Sequence, residues 1–374
     1  MRPACFPPLP CWLSVLPALA VLFVGVSRLP EACRAQALVP RGQVMLRGVE
    51  GRLDHLAYDP ATHRLFISAL ENQSVEIVDL ARRQQLPGIK GVRDPQGLLV
   101  IPGRNRLIVA SRGDGTCRSF DATTLAEGPW VDLGRNADNL RYEPARQWIL
   151  VGSGGEPGDG LVSIIELASL LPAAEGGRPA PPQSPADFRL LRPRQGMPLA
   201  EIALPSHPES LQIDAATGRV LVNLPDEHRV TVLQLGTNSL AKVADWPVTV
   251  GSRNFPLDLD PAHQRLFVAT RQPARLAVYH LRTGALLADV PCVGDADDLQ
   301  FDAALGRIYL MGGEGAVEVF QLAEGVAAPV RLLRLPTAAR ARTGLFIPEL
   351  HLLAVAAPHT TNTSAAILLF GVSH

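Results

Sequence analysis

Residues Leu257–Ala269 read LDLDPAHQRLFVA, and this stretch contains the unit that predicts the fold. An apolar segment ends at Asp260-Pro261, and a second apolar segment begins shortly afterwards at Arg265. Proline presets φ and aspartate bonds the nearby backbone, so the residues between the two segments favour a tight turn. The stretch therefore predicts a β-hairpin whose first strand ends at an acidic corner.

Related hairpins recur along the whole chain. The common Leu of each first strand stands at positions 56, 98, 140, 211, 257, 299 and 345. The steps between these positions are 42, 42, 71, 46, 42 and 46 residues. A period near forty residues that contains only β-type segments is typical of propeller arrays. We therefore predict an all-β fold, a seven-bladed β-propeller with four-stranded blades.

The two ends of the repeat array indicate how the ring closes. The last unit ends after a third strand, Ile367–Phe370, and one unassigned strand, Gly42–Gly48, precedes the first unit. Pairing these strands would complete the last blade and remove the exposed edges of an open array. Residues 36–374 are thus expected to form a single domain. The long step contains a Pro-, Gly- and Ala-rich insertion at residues 171–198, which we expect to be an exposed loop or a lid.

Residues 1–35 have the pattern of a signal peptide. Leu13–Val26 is an apolar run of fourteen residues, which is short for a bilayer span. Small residues follow, so cleavage after Ala35 or Ala37 fits the pattern, and a retained membrane anchor is the competing interpretation. We expect an exported protein, periplasmic or secreted, that is monomeric and has no membrane span after cleavage.

Composition and motif content exclude several classes of function. A net charge of −1 gives no electrostatic footprint for nucleic acid. Beyond the signal peptide only Cys117 and Cys292 remain, in distant units, so no disulfide is expected. The sequence has no Cys-x-x-Cys pair and no Gly-x-Ser-x-Gly motif, and the Gly-rich run at Gly152–Gly155 does not lead into a helix.

Several local elements carry a resemblance to a known family. They are GRLDHL at residues 51–56, HPES at 207–210, NFPL at 254–257, DADD at 295–298 and RTGLFIPEL at 342–350. With the repeat core at Asp260–Ala269, they make residues 42–371 resemble the YncE-like, YVTN-type β-propellers of exported bacterial proteins. This resemblance implies a seven-bladed fold and an exported location, but it does not imply one established reaction.

Polar residues recur just before the first strand of each unit. Two positions before the common Leu stand Asp54, Gln96, Asp138, Glu209, Phe255, Asp297 and Thr343. In a propeller these positions converge on one end of the central channel, so they can form a site from residues far apart in sequence. From this and the adjacent positions we predict a ligand-binding set of Asp54, His55, Asn139, Glu209, Asn254, Asp298 and Arg342. The structural alternative is that each of these side chains caps a turn or forms a local ion pair.

The predicted set supports three hypotheses about function. The first is an exported scaffold that binds a small ligand or a protein partner at the channel mouth, without an established reaction. The second is a lactonase-type hydrolase that depends on a divalent cation such as Ca²⁺, because carboxylate and amide oxygens at Glu209, Asn254 and Asp298 suit a hard ion. Propeller lactonases, which this fold resembles, hold such an ion at the channel mouth; His55 would then be a general base and Arg342 would steady an oxyanion. The third is a periplasmic redox or accessory protein.

Overall fold

A computed structural model describes residues 37–134, 136–155, 157–173, 196–323 and 325–373. Within them, 28 strands form seven separate four-stranded antiparallel sheets. Each of the first six sheets takes four consecutive strands, with the first strand innermost and the fourth outermost. The predicted seven-bladed β-propeller with four-stranded blades is confirmed.

The strands follow one another around the ring. The first three blades are β2 (Leu53–Asp59), β3 (Arg64–Ala69), β4 (Ser74–Asp79) and β5 (Gln84–Lys90); β6 (Pro95–Ile101), β7 (Arg106–Ser111), β8 (Thr116–Asp121) and β9 (Glu127–Asp132); and β10 (Ala137–Glu143), β11 (Trp148–Ser153), β12 (Gly160–Glu166) and β13 (Ala200–Leu204). The next three are β14 (Ser210–Asp214), β15 (Arg219–Leu224), β16 (Arg229–Leu235) and β17 (Leu240–Pro247); β18 (Ser252–Asp260), β19 (Arg265–Gln272), β20 (Ala274–His280) and β21 (Leu286–Pro291); and β22 (Ala296–Asp302), β23 (Arg307–Gly312), β24 (Ala316–Gln321) and β25 (Val330–Pro336). Short 3₁₀ turns lie at Leu167–Leu170, Pro225–Glu227 and Pro348–Leu350.

The seventh blade closes the ring with both ends of the array. It consists of β26 (Thr343–Ile347), β27 (Leu352–Ala357), β28 (Ala366–Val372) and, as its outermost strand, β1 (Leu38–Met45). β1 runs antiparallel to β28 and places Val44 opposite Ile367. The predicted pairing of the N-terminal strand with the last blade is therefore confirmed.

The apolar core is divided among the contacts between neighbouring blades. Seven clusters of buried aliphatic and aromatic residues lie there, one for each pair of adjacent blades. One of them joins Val44 and Ile367 of the closing blade to Leu56 and Leu65 of the first blade. Because each blade buries its two faces against its neighbours, hydrophobic burial fixes the ring without a central core.

The innermost strands begin irregularly at the end of the channel where the predicted site lies. In five blades the pairing register between the first and second strands shifts at this end, as between Leu53 and Leu56 and between Ala137 and Leu140. Such β-bulges re-aim side chains at sheet ends. Here they decide which residues around the common Leu face the channel mouth.

Two sequence predictions fall mainly outside the described residues. The signal peptide lies wholly outside them, and so do residues 174–195 of the predicted insertion. Among the described residues no helix is long and apolar enough to cross a membrane. Cys117 and Cys292 are both free thiols, as expected from their distant blades.

Candidate functional site

One end of the channel opens into a cavity of about 430 Å³, which we call the mouth cavity. Six of the seven residues two positions before the common Leu line it: Asp54, Gln96, Asp138, Glu209, Phe255 and Asp297. Five arginines also line it, namely Arg52, Arg112, Arg253, Arg271 and Arg342, and so do His55 and His207. The repeat register therefore brings residues from most of the blades to one polar cavity.

The structure divides the predicted ligand-binding set among three places. Asp54, His55, Glu209 and Arg342 line the mouth cavity. Asn139 and Asp298, which stand one position before the common Leu, line a second cavity of about 380 Å³ deeper in the channel. Among the described residues, only His55 lines both cavities, so its ring lies at the boundary between them.

Asn254 lies at neither cavity. Its side chain is fully buried between two blades, where Nδ2 donates to Asn223 Oδ1 at 2.9 Å and to the Arg229 carbonyl at 3.0 Å. Asn223 in turn donates to the carbonyl oxygens of Phe255 and Pro256. This amide pair links β15 to β18, which is a structural role. The structure thus does not bring together the predicted metal set of Glu209, Asn254 and Asp298.

His55 is surrounded by carboxylates. Its Nδ1 lies 3.3 Å from Asp298 Oδ1, and its Nε2 lies 3.9 Å from Asp54 Oδ1 and 4.0 Å from Asp138 Oδ1. Burial alone would lower the pKa of His55, but Asp298 and Asp54 outweigh it and raise the pKa to about 10. At neutral pH His55 is therefore an imidazolium, which is the wrong protonation state for the general base of the hydrolase hypothesis.

Below His55 a chain of hydrogen bonds crosses the channel. The Arg141 guanidinium donates to Asn139 Oδ1 at 2.7 Å and to Gln212 Oε1 at 3.0 Å. Gln212 donates to Asp258 at 3.1 Å, and the same carboxylate accepts the backbone N–H of Phe301 at 2.8 Å. These residues come from four different blades, so the chain ties the innermost strands together and forms a polar floor below the mouth cavity.

The arginines of the mouth fall into two groups. Arg342 Nε lies 2.7 Å from Asp297 Oδ2, and Arg271 Nη2 lies 2.6 Å from Asp297 Oδ1 while its guanidinium stacks on the Phe255 ring at 3.6 Å. In contrast, Arg112 and Arg253 are exposed, and no carboxylate of the described chain lies within salt-bridge distance of them. Arg342 thus already has a carboxylate partner, whereas Arg112 and Arg253 are free to meet an anion.

Two acidic groups of the mouth hold protons more tightly than usual. Burial raises the pKa of Asp54 to about 6 in spite of His55 and Arg52, whose Nη2 lies 3.1 Å from Asp54 Oδ2. Burial and the neighbouring Asp138 raise the pKa of Glu209 to about 7. Burial is the main cause of both pKa shifts, and the neighbouring Asp138 carboxylate adds to each rise.

One further group of side chains was not predicted from the sequence, and it consists of Asp138, His207 and Glu209. One oxygen or nitrogen atom from each of Asp138, His207 and Glu209 lies within 4.8 Å of the other two. The His207-x-Glu209 spacing was visible in the HPES element, and Asp138 was visible in the repeat register. What the sequence does not show is that the bulged start of β10 meets the loop before β14.

Comparisons with known proteins support the fold alone. No family model matches the chain, and no curated protein matches it by sequence. Among solved structures, a chain of a mitotic checkpoint complex crystal structure is similar, with a TM-score of 0.68 and 10% identity over 100% of this chain and 99% of that one. A chain of the Kuenenia stuttgartiensis hydrazine synthase is similar, with a TM-score of 0.67 and 13% identity over 86% of this chain and 98% of that one. At such identities the likeness shows the propeller and says nothing of function.

Proposed function

We propose that this protein is an exported, YncE-like propeller scaffold that binds a small anionic ligand in the mouth cavity. The predicted export signal and the YVTN-type resemblance of the sequence support the proposed location and family. The cavity volume of about 430 Å³ lies in the range usual for small-molecule sites. A protein partner that inserts an acidic side chain would meet the same chemistry.

The observation that carries the proposal is the pair of unmatched arginines. Asp295 and Asp297 together pair with Arg271 and Arg342, and Asp54 pairs with Arg52, so these three guanidinium groups already have carboxylate partners. Arg112 and Arg253 have no such partner in the described chain and line the same cavity. A guanidinium fork matches carboxylate and phosphate geometry, so these two residues are suited to hold an anionic group.

The rest of the lining indicates what else the ligand carries. Phe255 offers one aromatic face, and the other side chains are mostly polar or charged. Because arginines and carboxylates line the cavity in equal number, five of each, a polyanion would meet repulsion as well as attraction. A small hydroxylated carboxylate or phosphate fits this mixture best.

Ligand binding can be tested with a double variant of the cavity and a control variant that removes an arginine elsewhere. Thermal-shift screening followed by calorimetry would use small carboxylates, hydroxy acids and inorganic phosphate as probes. Arg112→Gln combined with Arg253→Gln should weaken binding at least tenfold, because both guanidinium groups are lost. Arg104→Gln, an exposed arginine in the turn at the opposite end of a blade, should leave it unchanged. Equal affinity in all three proteins would overturn the proposal.

A second candidate function, metal-dependent hydrolysis of a lactone or related ester, is favoured by the cluster of Asp138, His207 and Glu209. A divalent ion there would face the cavity and could polarise a carbonyl or activate water. Arg342 is less available to steady an oxyanion than predicted, because Asp297 and Asp295 already hold its guanidinium. Turnover over a lactone panel that disappears in Glu209→Ala would favour this function over binding alone.

A further inference from the structure

The structure places one nitrogen and two carboxylate ligands on a single wall of the mouth cavity. Asp138 stands at the bulged start of β10, and His207 and Glu209 belong to the loop that leads into β14. His207 Nε2 lies 3.2 Å from Asp138 Oδ2, and the ligand atoms of all three residues lie within 4.8 Å of one another. Two neighbouring blades therefore converge on one point.

The loop that carries His207 and Glu209 is held from both sides. The Glu209 backbone N–H donates to the Asn223 carbonyl at 3.2 Å, and its carbonyl accepts Asn139 Nδ2 at 2.9 Å. Behind the loop, Gly160 lets the Ser206 carbonyl approach so closely that a Cβ would collide with it. These contacts fix the backbone of the loop before any ion arrives, which lowers the entropic cost of binding.

The Glu209 carboxylate has no partner of its own. In the described part of the chain it accepts no hydrogen bond and forms no ion pair, although it is partly buried and faces Asp138. Among the described residues, the Asp138 carboxylate contacts His207 Nε2 at 3.2 Å, the Gln96 amide and, at 4.0 Å, His55 Nε2, and it forms no ion pair with an arginine. Two carboxyl groups directed at one point repel each other when both are ionised, and a divalent ion between them would offset that repulsion.

We propose that Asp138, His207 and Glu209 bind a divalent transition-metal ion, with Zn²⁺ as the best match. Zn²⁺ takes imidazole nitrogen together with carboxylate oxygen, whereas Ca²⁺ requires six to eight oxygen ligands. This is a different residue set and a different metal class from the Ca²⁺-type set predicted from sequence. The other ring nitrogen of His207 is buried beside the Gly154 backbone, which leaves Nε2 for the ion.

Three protein ligands leave at least one coordination position open toward the cavity. Zinc sites with three protein ligands and an open position hold a water molecule or a substrate oxygen. Arg112 and Arg253 line the same cavity, so an anionic ligand could contact the ion and the guanidinium groups together. The inference deepens the binding function proposed for this cavity, but the ion site depends only on its own three residues.

The experiment measures metal binding alone. The exported chain, purified without a polyhistidine tag and treated with chelator, would be titrated with Zn²⁺ and separately with Ca²⁺ by calorimetry. We expect one Zn²⁺ per chain and much weaker Ca²⁺ binding. Co²⁺ as a spectroscopic substitute should give the visible absorption of a low-coordinate site with imidazole ligation. Absence of saturable binding at one ion per chain, or preference for Ca²⁺, would overturn the proposal.

Matched variants identify the ligands. Glu209→Gln and His207→Gln should each weaken Zn²⁺ binding at least tenfold while thermal unfolding shows that the protein remains folded. The control is His263→Gln, because His263 Nδ1 contacts Asp260 at 2.9 Å in a turn where the described residues supply no third ligand group. Unchanged Zn²⁺ affinity in both cavity variants would exclude this residue set. Unchanged anion binding in the Arg112/Arg253 variant, with Zn²⁺ binding intact, would contradict only the first proposal.

Discussion

At the residue scale, burial and partners separate polar side chains that look equivalent in the sequence. Asn254 and Asn139 both precede the common Leu of a repeat, yet one is a fully buried link between blades and the other belongs to the channel floor. Asp54 and Glu209 line the cavity with raised pKa values, whereas Asp297 is held by two arginines. Partners that come from other blades make these distinctions, and no single repeat contains them.

Asp258 provides a pH prediction at the same scale. Burial raises the pKa of its carboxyl from 3.8 to about 6, against the lowering effect of the Phe301 and Leu259 N–H groups and of Arg141, while Asp298 adds to the rise. A raised carboxyl pKa means that the folded state binds the proton more tightly than the unfolded state between these two values. The contribution of Asp258 to the free energy of unfolding should therefore fall as pH rises from about 4 to about 6, by at most about 3 kcal/mol.

Urea unfolding of the parent protein and of Asp258→Asn across this pH range checks the prediction. The asparagine cannot ionise, so the difference in unfolding free energy should move in favour of the variant as pH rises, whatever hydrogen bonds the substitution costs. Parallel pH curves for the two proteins would contradict the assigned shift.

At the element scale, the β-bulges explain why the predicted site was only partly right. The residues two positions before the common Leu reach the mouth, whereas Asn139 and Asp298, one position before it, reach the second cavity. Successive side chains of a strand point to opposite faces of the sheet. Aligning the repeats of this chain therefore finds the recurring polar position, but it does not show which face that side chain is on. A one-residue bulge changes that assignment, and its presence depends on pairing with the next strand.

The loop between β13 and β14 gives the second prediction. Gly160→Ala would place a methyl group against the Ser206 carbonyl, which is backbone and cannot rotate away. The loop must then move, so we expect a loss of about 1–3 kcal/mol in unfolding free energy and a weaker Zn²⁺ affinity. Gly236→Ala is the control, since its new methyl group would meet the hydroxyl of the exposed Ser239, which can turn aside. Zn²⁺ affinity unchanged in Gly160→Ala would show that the loop does not position the ligands.

At the scale of the whole molecule, the period of the repeat determined most of the fold in advance. A hairpin such as Leu257–Ala269 cannot bury both of its faces alone. Seven such units at regular spacing can bury them against one another, and a closed ring leaves no unit without a neighbour. The closing pair of β1 and β28 was predictable because the last unit lacked a fourth strand and β1 belonged to no unit. The site was less predictable, since it consists of contacts between blades that are up to 243 residues apart, as for His55 and Asp298.

Because the pairing of β1 with β28 closes the ring, the stability of distant blades should depend on this pairing. This gives the last prediction. Leu38 of β1 is buried against the sixth and seventh blades, with 2% of its surface exposed. Leu38→Ala should lower the free energy of unfolding by about 2–5 kcal/mol, because it leaves a cavity where β1 closes the ring. The exposed Gln43 of the same strand is the matched control, and Gln43→Ala should have an effect below about 0.5 kcal/mol.

Trp148 and Trp246 are buried in the third and fourth blades, on the far side of the ring. If the ring unfolds as one unit, their fluorescence and the far-ultraviolet circular dichroism should shift together in Leu38→Ala. A fluorescence transition that stays at the parent midpoint while the circular dichroism transition moves would show that the blades melt independently.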